Sequence, residues 1–471
     1  MTPNIIFILI DDMGWRDLAC YGSEFYETPN LDKLAADGMT FTDAYAACPV
    51  CSPTRASIMT GKYPATVGIT DWIDSSGTSH PCKGKLIDAP YLKQLPLTER
   101  SLASSLQASG YQTWHVGKWH LGGPDYYPEK HGFAVNIGGC EMGCPYSGYV
   151  SPWNIPTLSD GPDGEYLTDR LTDEAISLIQ NSCGRPFFLN LWHYAVHTPI
   201  QAPAKLIAKY EAKANSLGID QTVAIVDGEY FPVDHKNDSR VRRRVVQSDP
   251  AYAAMIENLD TNIGRLLGAV AEAGLAENTV VIFTSDNGGL STAEGSPTSN
   301  KPLAEGKGWM YDGGTREPLI VKWPGVTAPG SVCATPVTSP DFYPTLLQIA
   351  GVPLPSSQLV DGMSFVPLLR GEAMDRGPIF WHYPHYGNQG GTPGSSIRLG
   401  SYKLIEFFDD GRLELYDLSS DIGENNNLVL DHPKITRSLH ERLVQWRHSV
   451  EAKVPQSNPD FVPPIGLGAS V

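Results

Sequence analysis

Short apolar runs alternate with longer amphipathic stretches along the first two-thirds of the chain. The apolar runs predict buried strands over residues 5–10, 113–116, 186–192 and 279–284. Before the last of these, apolar residues recur every three or four positions and predict a helix from about residue 251 to 273. A further helix is expected to start near Ser339-Pro340. Strands that alternate with helices in this way are typical of an α/β sheet.

The pattern changes at about residue 372. Short strands over 396–405 and 414–418 precede an amphipathic helix over 435–450, which predicts a small α+β domain. We therefore expect two domains, residues 1–371 and 372–471. Within the first, residues 207–250 lack a clear period and predict an irregular insertion, whose arginine run at 240–244 is expected to be solvated.

Composition excludes several classes of function. The 471 residues carry a net charge of −17, which argues against binding to nucleic acid or to an anionic membrane. No apolar run approaches the roughly 20 residues of a membrane helix. The N-terminal strand lacks the basic start and the cleavage site of a signal peptide, so a cytoplasmic location is expected. The alternative is export of a chain whose leader has been removed.

Two of the predicted strands end in side chains with oxygen ligands. Asp11-Asp12 follow the first strand, and Asp286-Asn287 follow the strand over 279–284. In open α/β sheets, ligands bind beyond the carboxyl ends of strands. Oxygen donors without histidine or cysteine favour calcium or magnesium over zinc. Either pair by itself could also be an ordinary turn.

The most informative motif is Cys51-Ser52-Pro53-Thr54-Arg55. A buried cysteine before a helix is the simpler interpretation, but the run resembles the signature of the type I sulfatases, which belong to the alkaline phosphatase superfamily. In that family the cysteine is oxidised to formylglycine by a formylglycine-generating or an anaerobic sulfatase-maturating enzyme. The hydrate of that aldehyde attacks the sulfur of a sulfate ester. Cys48 and Cys51, like Cys140 and Cys144, are spaced as in zinc sites, but we expect no zinc there because the first pair overlaps this motif.

Three further segments resemble sulfatase motifs in the family's order: 117–122, 192–199 and 301–318. By this resemblance Lys118 binds sulfate, His120 contacts the formylglycine hydrate, and His197 and Lys307 reach the sulfate. Either of the last two could protonate the departing oxygen, and His120 would remove a proton from the remaining hydroxyl. The resemblance also implies calcium, with magnesium as a substitute, and these ligands: Asp11, Asp12, Cys51, Asp286 and Asn287. With the cation, Arg55 and the other basic residues form the locally basic pocket that an acidic sulfatase needs.

For the fold, the resemblance implies a large mixed sheet sandwiched by helices, with a smaller α+β C-terminal domain. The finer likeness is to N-acetylgalactosamine-6-sulfatase and arylsulfatase A. We expect a sulfuric ester hydrolase acting on a sulfated sugar, with His382 and His385 binding the substrate. Aryl or steroid sulfates are an alternative substrate class. A phosphonate monoester or phosphodiester hydrolase, and a non-catalytic sulfoglycan-binding protein, are alternative functions.

Overall fold

The structure is a computed structural model that describes residues 2–75 and 79–461. The strands are β1 (Asn4–Ile10), β2 (Met39–Tyr45), β3 (Leu86–Ile87), β4 (Gln112–Gly117), β5 (Val135–Ile137), β6 (Phe187–Trp192), β7 (Ile225–Tyr230), β8 (Arg240–Arg244), β9 (Thr279–Ser285), β10 (Arg316–Lys322), β11 (Ser331–Cys333), β12 (Val337–Thr338), β13 (Ile379–Tyr383), β14 (Gly394–Leu399), β15 (Tyr402–Phe407), β16 (Leu413–Asp417) and β17 (Gln456–Ser457). The α-helices are α1 (Pro29–Asp37), α2 (Cys51–Thr60), α3 (Pro64–Val67), α4 (Leu102–Ala108), α5 (Leu167–Gln180), α6 (Ala204–Leu217), α7 (Pro250–Glu272), α8 (Asp312–Thr315), α9 (Phe342–Ile349), α10 (Val366–Leu369) and α11 (Pro433–Ser449).

A nine-stranded mixed sheet forms the centre of the molecule. Its order is β11-β2-β10-β9-β1-β6-β4-β5, with β12 also paired to β2. β1 runs parallel to β6 and β9, whereas β10 is antiparallel to both of its neighbours. Every residue of β1 is buried, because helices cover both faces of the sheet and each face needs an apolar side chain.

Alternate residues of β1 belong to two separate cores. Ile6, Ile8 and Ile10 face the side of α5 and α7. Ile5, Phe7 and Leu9 face the side of α2, α4 and α9. This is the period-two alternation of a strand between two helical layers, and it confirms the predicted large mixed sheet sandwiched by helices.

The C-terminal part contains a second, antiparallel sheet with the order β13-β14-β15-β16. Leu439 and Leu443 of α11 pack against its buried face. The single strand predicted over 396–405 is wrong: it is β14 and β15, which turn at Gly400-Ser401 with a positive φ of 61° at Gly400. Both strands bury apolar residues on either side of this short turn, so the pattern in sequence shows no break. The domain limits at 371 and 372 stay a prediction, and residues 462–471 lie outside the described residues.

The prediction of an irregular insertion over 207–250 is also wrong. It contains most of α6, which packs on α7, and the hairpin of β7 and β8. The arginines of β8 are not simply solvated: Arg243 forms ion pairs at 2.7 Å with Glu229 and at 2.8 Å with Glu305. Glu305 lies far away in sequence, so no local pattern indicates this contact.

Among the described residues, no helix is both long and apolar enough to span a membrane. All eight cysteines are free thiols. In the part of the chain that the structure describes, neither Cys48 with Cys51 nor Cys140 with Cys144 forms a group of metal-ligating side chains.

Candidate active site

The carboxyl ends of β1 and β9 meet at one edge of the main sheet. The two strands are paired up to Ile10 and Ser285, so the acidic residues that follow them lie side by side. Asp286 Oδ1 accepts a hydrogen bond from the backbone N–H of Asp12 at 3.2 Å, and Asn287 Nδ2 donates to Asp12 Oδ1 at 2.8 Å. Parallel pairing thus assembles the predicted oxygen cluster.

Cys51 is the first residue of α2, and all ten residues of this helix are buried. Burial raises the pKa of the Cys51 thiol to about 11, so the unmodified side chain is protonated at neutral pH and is a weak nucleophile. Arg55, one turn later, lies behind it. Its guanidinium pairs with Asp286 at 2.7 Å and approaches Asp11 at 3.7 Å. Arg55 therefore holds the carboxylates in place and is absent from the pocket lining.

Two lysines converge on the same edge of the sheet. Lys118 follows β4 and donates to Asp11 Oδ2 at 2.7 Å, and Lys307 donates to Asp12 Oδ2 at 2.7 Å. Burial alone would lower the pKa of each lysine, but the nearby carboxylates raise both above the usual value. Both ammonium groups are therefore charged and oriented before any substrate binds.

His197 completes this arrangement as a neutral side chain. Its Nδ1 lies 2.9 Å from the carbonyl oxygen of Thr198. A carbonyl only accepts, so Nδ1 carries the hydrogen and Nε2 presents its lone pair. That lone pair accepts a hydrogen bond from Lys307 Nζ at 2.9 Å. Burial, aided by the charge of Lys307 and opposed by Asp12, lowers the pKa of His197 to about 4.

His120 is neutral for a similar reason. Nε2 donates to the carbonyl oxygen of Ile73 at 2.8 Å, which leaves a lone pair on Nδ1 without a hydrogen-bond partner among the described residues. Burial, together with the charge of Lys118, holds the pKa of His120 well below its usual range. His120 and Asp12 both have positive φ, 57° and 64°. Such strained backbone is typical of functional sites.

A pocket opens above Cys51. Its inner wall, which we call the floor, consists of Cys51, His120, His197 and Lys307, with Lys118 and the carboxylates behind them. Its outer wall, which we call the rim, consists of Trp72, Tyr146, Glu294, Asn388 and Gln389. Trp72, Tyr146 and Glu294 were not assigned from the sequence, because each lies in a loop without a periodic pattern.

His382 and His385 require a correction. His382 is bonded on both ring nitrogens, to Ser395 Oγ at 2.7 Å and to the carbonyl oxygen of Lys453 at 2.8 Å. His385 is fully buried and bonds Thr70 Oγ1 at 2.8 Å. Neither lines the pocket. Both histidines lie in sequence among aromatic residues that pack inside the domain. The segment was therefore expected to form an exposed substrate-binding surface, but the fold buries it. The other ten predicted site residues lie together, either at the floor or directly behind it, and their roles stay predictions.

The same cluster fits a hard divalent cation. Ligand atoms of Asp11, Cys51 and Asp286 lie within 4.8 Å of one another. Asp11 Oδ1 and Asn287 Oδ1 are buried and accept no hydrogen bond from the described residues. Buried acceptors without a donor are costly, and an ion bound between these oxygens would satisfy them.

Comparisons with known proteins identify the family to which this chain belongs. The Sulfatase family profile matches residues 3–352, and the profile of the N-sulphoglucosamine sulphohydrolase C-terminal region matches residues 305–449. N-acetylgalactosamine-6-sulfatase of Mus musculus is 33% identical, over 94% of this chain and 79% of its own. Arylsulfatase A of Homo sapiens is 34% identical, over 91% of this chain and 83% of its own. The crystal structure of Ps i-CgsB in complex with k-i-k-neocarrahexaose superposes with a TM-score of 0.75 at 25% identity, covering 98% of this chain and 95% of that one.

The fold and site thus define a hydrolytic enzyme of the α/β class. The chain belongs to the sulfatase family, and its function is that of a sulfuric ester hydrolase. The predicted likeness to N-acetylgalactosamine-6-sulfatase and arylsulfatase A is confirmed.

Proposed function

We propose that this enzyme hydrolyses a sulfate monoester of a sugar, with formylglycine made from Cys51 as the nucleophile and calcium at the oxygen cluster. The observation that carries the proposal is the position of Cys51: it lies in the floor of the pocket with His120, His197 and Lys307 around it. A protonated thiol in this position is a poor nucleophile.

The two absent groups would supply distinct chemistry. A hydrated formylglycine supplies an oxygen nucleophile, and calcium supplies positive charge for the sulfate oxygens. Asp11, Asp12, Asp286 and Asn287 would hold the cation, together with the side chain at position 51. Magnesium could replace calcium, because the same oxygens suit either ion.

The cationic residues of the floor bind and orient the sulfate group. Lys118 and Lys307 are charged and already fixed by Asp11 and Asp12. Donors fixed in this way contribute about 3–4 kcal/mol each to stabilising charge in a transition state. Lys307 and His197 share a hydrogen bond in which Lys307 holds the proton. Of the two candidates, Lys307 is therefore the one that carries a proton for the departing oxygen before substrate binds.

His120 is suited to the opposite task. It is neutral, and its Nδ1 lone pair is free to accept a proton. The bond from Nε2 to the carbonyl oxygen of Ile73 fixes the ring in this tautomer. His120 would thus accept a proton from the side chain at position 51, which allows sulfate to leave.

The rim supports a sugar as the group that carries the sulfate. Trp72 and Tyr146 offer aromatic faces for the apolar side of a sugar ring. Glu294, Asn388 and Gln389 offer hydrogen-bonding groups for its hydroxyls. The names of the relatives and the oligosaccharide bound to Ps i-CgsB point to the same substrate class.

The proposal can be tested with protein co-expressed with a maturation enzyme. The peptide that carries residue 51 should be lighter than its cysteine form and should react with aldehyde probes. Turnover of sulfated sugars, aryl sulfates, steroid sulfates and phosphonate monoesters should be highest for a sulfated sugar. Cys51→Ala should abolish turnover and keep the fold, whereas the control Cys48→Ala should remain active. Full activity of Cys51→Ala would refute the claim that the nucleophile is made from Cys51. A preference for aryl sulfates or phosphonates would refute the claim that the substrate is a sulfated sugar.

A further inference from the structure

A second group of metal-ligating side chains lies behind the rim, separate from the carboxylates at the ends of β1 and β9. Asp71, His80, Cys82 and Asp88 come from the segment between α3 and α4, and His385 comes from the segment after β13. Asp71 and His385 have no exposed surface at all. Two distant parts of the chain thus meet in a buried cluster of nitrogen, oxygen and sulfur donors.

Each histidine of this cluster lies close to both carboxylates. His80 Nδ1 lies 3.3 Å from Asp88 Oδ2 and 3.6 Å from Asp71 Oδ2. His385 Nδ1 lies 3.8 Å from Asp71 Oδ2 and 3.8 Å from Asp88 Oδ1. Neighbouring ligand atoms around a tetrahedral zinc ion are about 3.4 Å apart, because Zn–N and Zn–O bonds are about 2.0–2.2 Å long. His80 and His385 belong to separate groups of ligand atoms that share Asp88, so a common ion would draw the two histidines toward each other.

Two atoms at the centre of the cluster have no hydrogen-bond partner among the described residues: Asp71 Oδ2 and His385 Nδ1. The ring of His385 is positioned by Thr70, whose hydroxyl lies 2.8 Å from Nε2. Buried polar atoms without partners are costly, and one cation between them would satisfy both Asp71 Oδ2 and His385 Nδ1.

The donor set distinguishes between metals. Calcium and magnesium prefer sites made only of oxygen, whereas two imidazoles with two carboxylates suit zinc. Cys82 Sγ lies within 4.8 Å of ligand atoms of His80 and Asp88, although in the structure it donates to the carbonyl oxygen of Ser79 at 3.3 Å. We propose a structural zinc site formed by four side chains: Asp71, His80, Asp88 and His385.

This site would fix part of the rim. Trp72 directly follows Asp71, and its ring lies 4.9 Å from that of His80. Asn388 and Gln389 follow His385 by only a few residues. An ion that joins Asp71 to His385 would therefore hold both parts of the rim at a constant distance, with no contact to the sulfate group. The proposal is independent of the nucleophile and of the calcium ligands.

Elemental analysis of the full-length protein tests the site. The protein is stripped with a chelator, dialysed against calcium and zinc, and freed of excess metal. The wild type should retain about one zinc ion per chain in addition to calcium. His80→Ala and His385→Ala should lose the zinc and keep the calcium. Asp286→Ala should lose the calcium and keep the zinc. His235→Ala, which changes an exposed histidine outside the cluster, should keep both.

Two measurements on the wild type avoid any dependence on how the variants fold. Cobalt added to the stripped protein should give the intense visible absorption of a tetrahedral site, and zinc should remove it. Zinc should also raise the Tm of the wild type by about 2 °C or more, but not that of His80→Ala. No zinc uptake by the wild type, no tetrahedral cobalt spectrum, or zinc retained in His80→Ala would each overturn the proposal.

Discussion

The floor of the pocket combines the start of α2 and residues that follow β4 and β6 with Lys307 from the loop before α8, whereas every rim residue lies in a loop. At the floor, Lys118 and Lys307 are buried and each has a carboxylate at 2.7 Å. At the rim, Tyr146 is 62% exposed and Glu294 is exposed as well. Groups on rigid elements keep a fixed geometry, while loops can vary without disturbing the core. We infer that the floor determines the reaction and the rim the substrate.

The largest effect is expected from removing charge at the floor. Asp286→Asn keeps the shape of the side chain but removes the partner of the buried Arg55. Loss of one partner of a buried pair costs about 3–5 kcal/mol. We expect kcat/KM to fall by at least about a thousandfold on every sulfate ester, together with loss of bound calcium by elemental analysis. Asp410→Asn, which changes an exposed ion pair with Arg412, is the control. Retained calcium and activity in Asp286→Asn would contradict the metal assignment.

Lys307→Met should have the next largest effect. It removes a positive charge at the floor that we propose contacts the sulfate group, so kcat/KM should fall about a hundredfold to a thousandfold. The loss should be equal for a sulfated sugar and a small aryl sulfate, because both carry the same sulfate. The charge of Lys307 also lowers the pKa of His197, so this pKa should rise in the variant, as NMR titration would show. An unchanged His197 pKa would be inconsistent with the contact between the two side chains.

A change at the rim should separate the two substrates instead. Tyr146→Ala removes an exposed ring and should lower kcat/KM on a sulfated saccharide about tenfold, equivalent to about 1.4 kcal/mol. Activity on a small aryl sulfate should change less than about twofold. Tyr146→Phe keeps the ring and should behave like the wild type if stacking is the main contribution. Equal losses on both substrates would remove the distinction between floor and rim.

The smallest kinetic effect is expected at His382, which lies outside both walls. His382→Gln should leave kcat/KM within about twofold on both substrates and change stability instead. Burial lowers the pKa of His382 to about 4, while an unfolded histidine titrates near about 6.5. Between these values the unfolded state binds more protons, so this residue makes stability fall as pH decreases from about 6.5 to about 4. Urea unfolding should show that the free energy of unfolding decreases less between pH 7 and pH 5 in the variant than in the wild type. An equal decrease in both proteins would argue against His382 as a source of this pH dependence.

The main departures from the sequence-based predictions also lie outside the floor. The irregular insertion proved to be α6 and a hairpin, and the arginine run pairs with Glu229 and Glu305. His382 and His385 proved to be interior residues, whereas Tyr146 and Glu294 proved to line the pocket. The pairing with Glu305 and the burial of both histidines depend on segments far apart in sequence, which leaves no local period to detect. The helix α6 and the hairpin are local elements, but they bury few side chains and so show only a weak apolar pattern.

The sequence by itself determined the α/β class, the position of Cys51 at the start of a helix, and the acidic pairs after β1 and β9. These features are readable because a buried strand is a continuous apolar run, and parallel strands place their carboxyl ends at one edge. Only the tertiary structure decided which lysine meets which carboxylate, which residues form the rim, and that Asp71 and His385 face each other. Those juxtapositions depend on how loops pack over the sheet, and packing is set by the whole core rather than by neighbours in the chain.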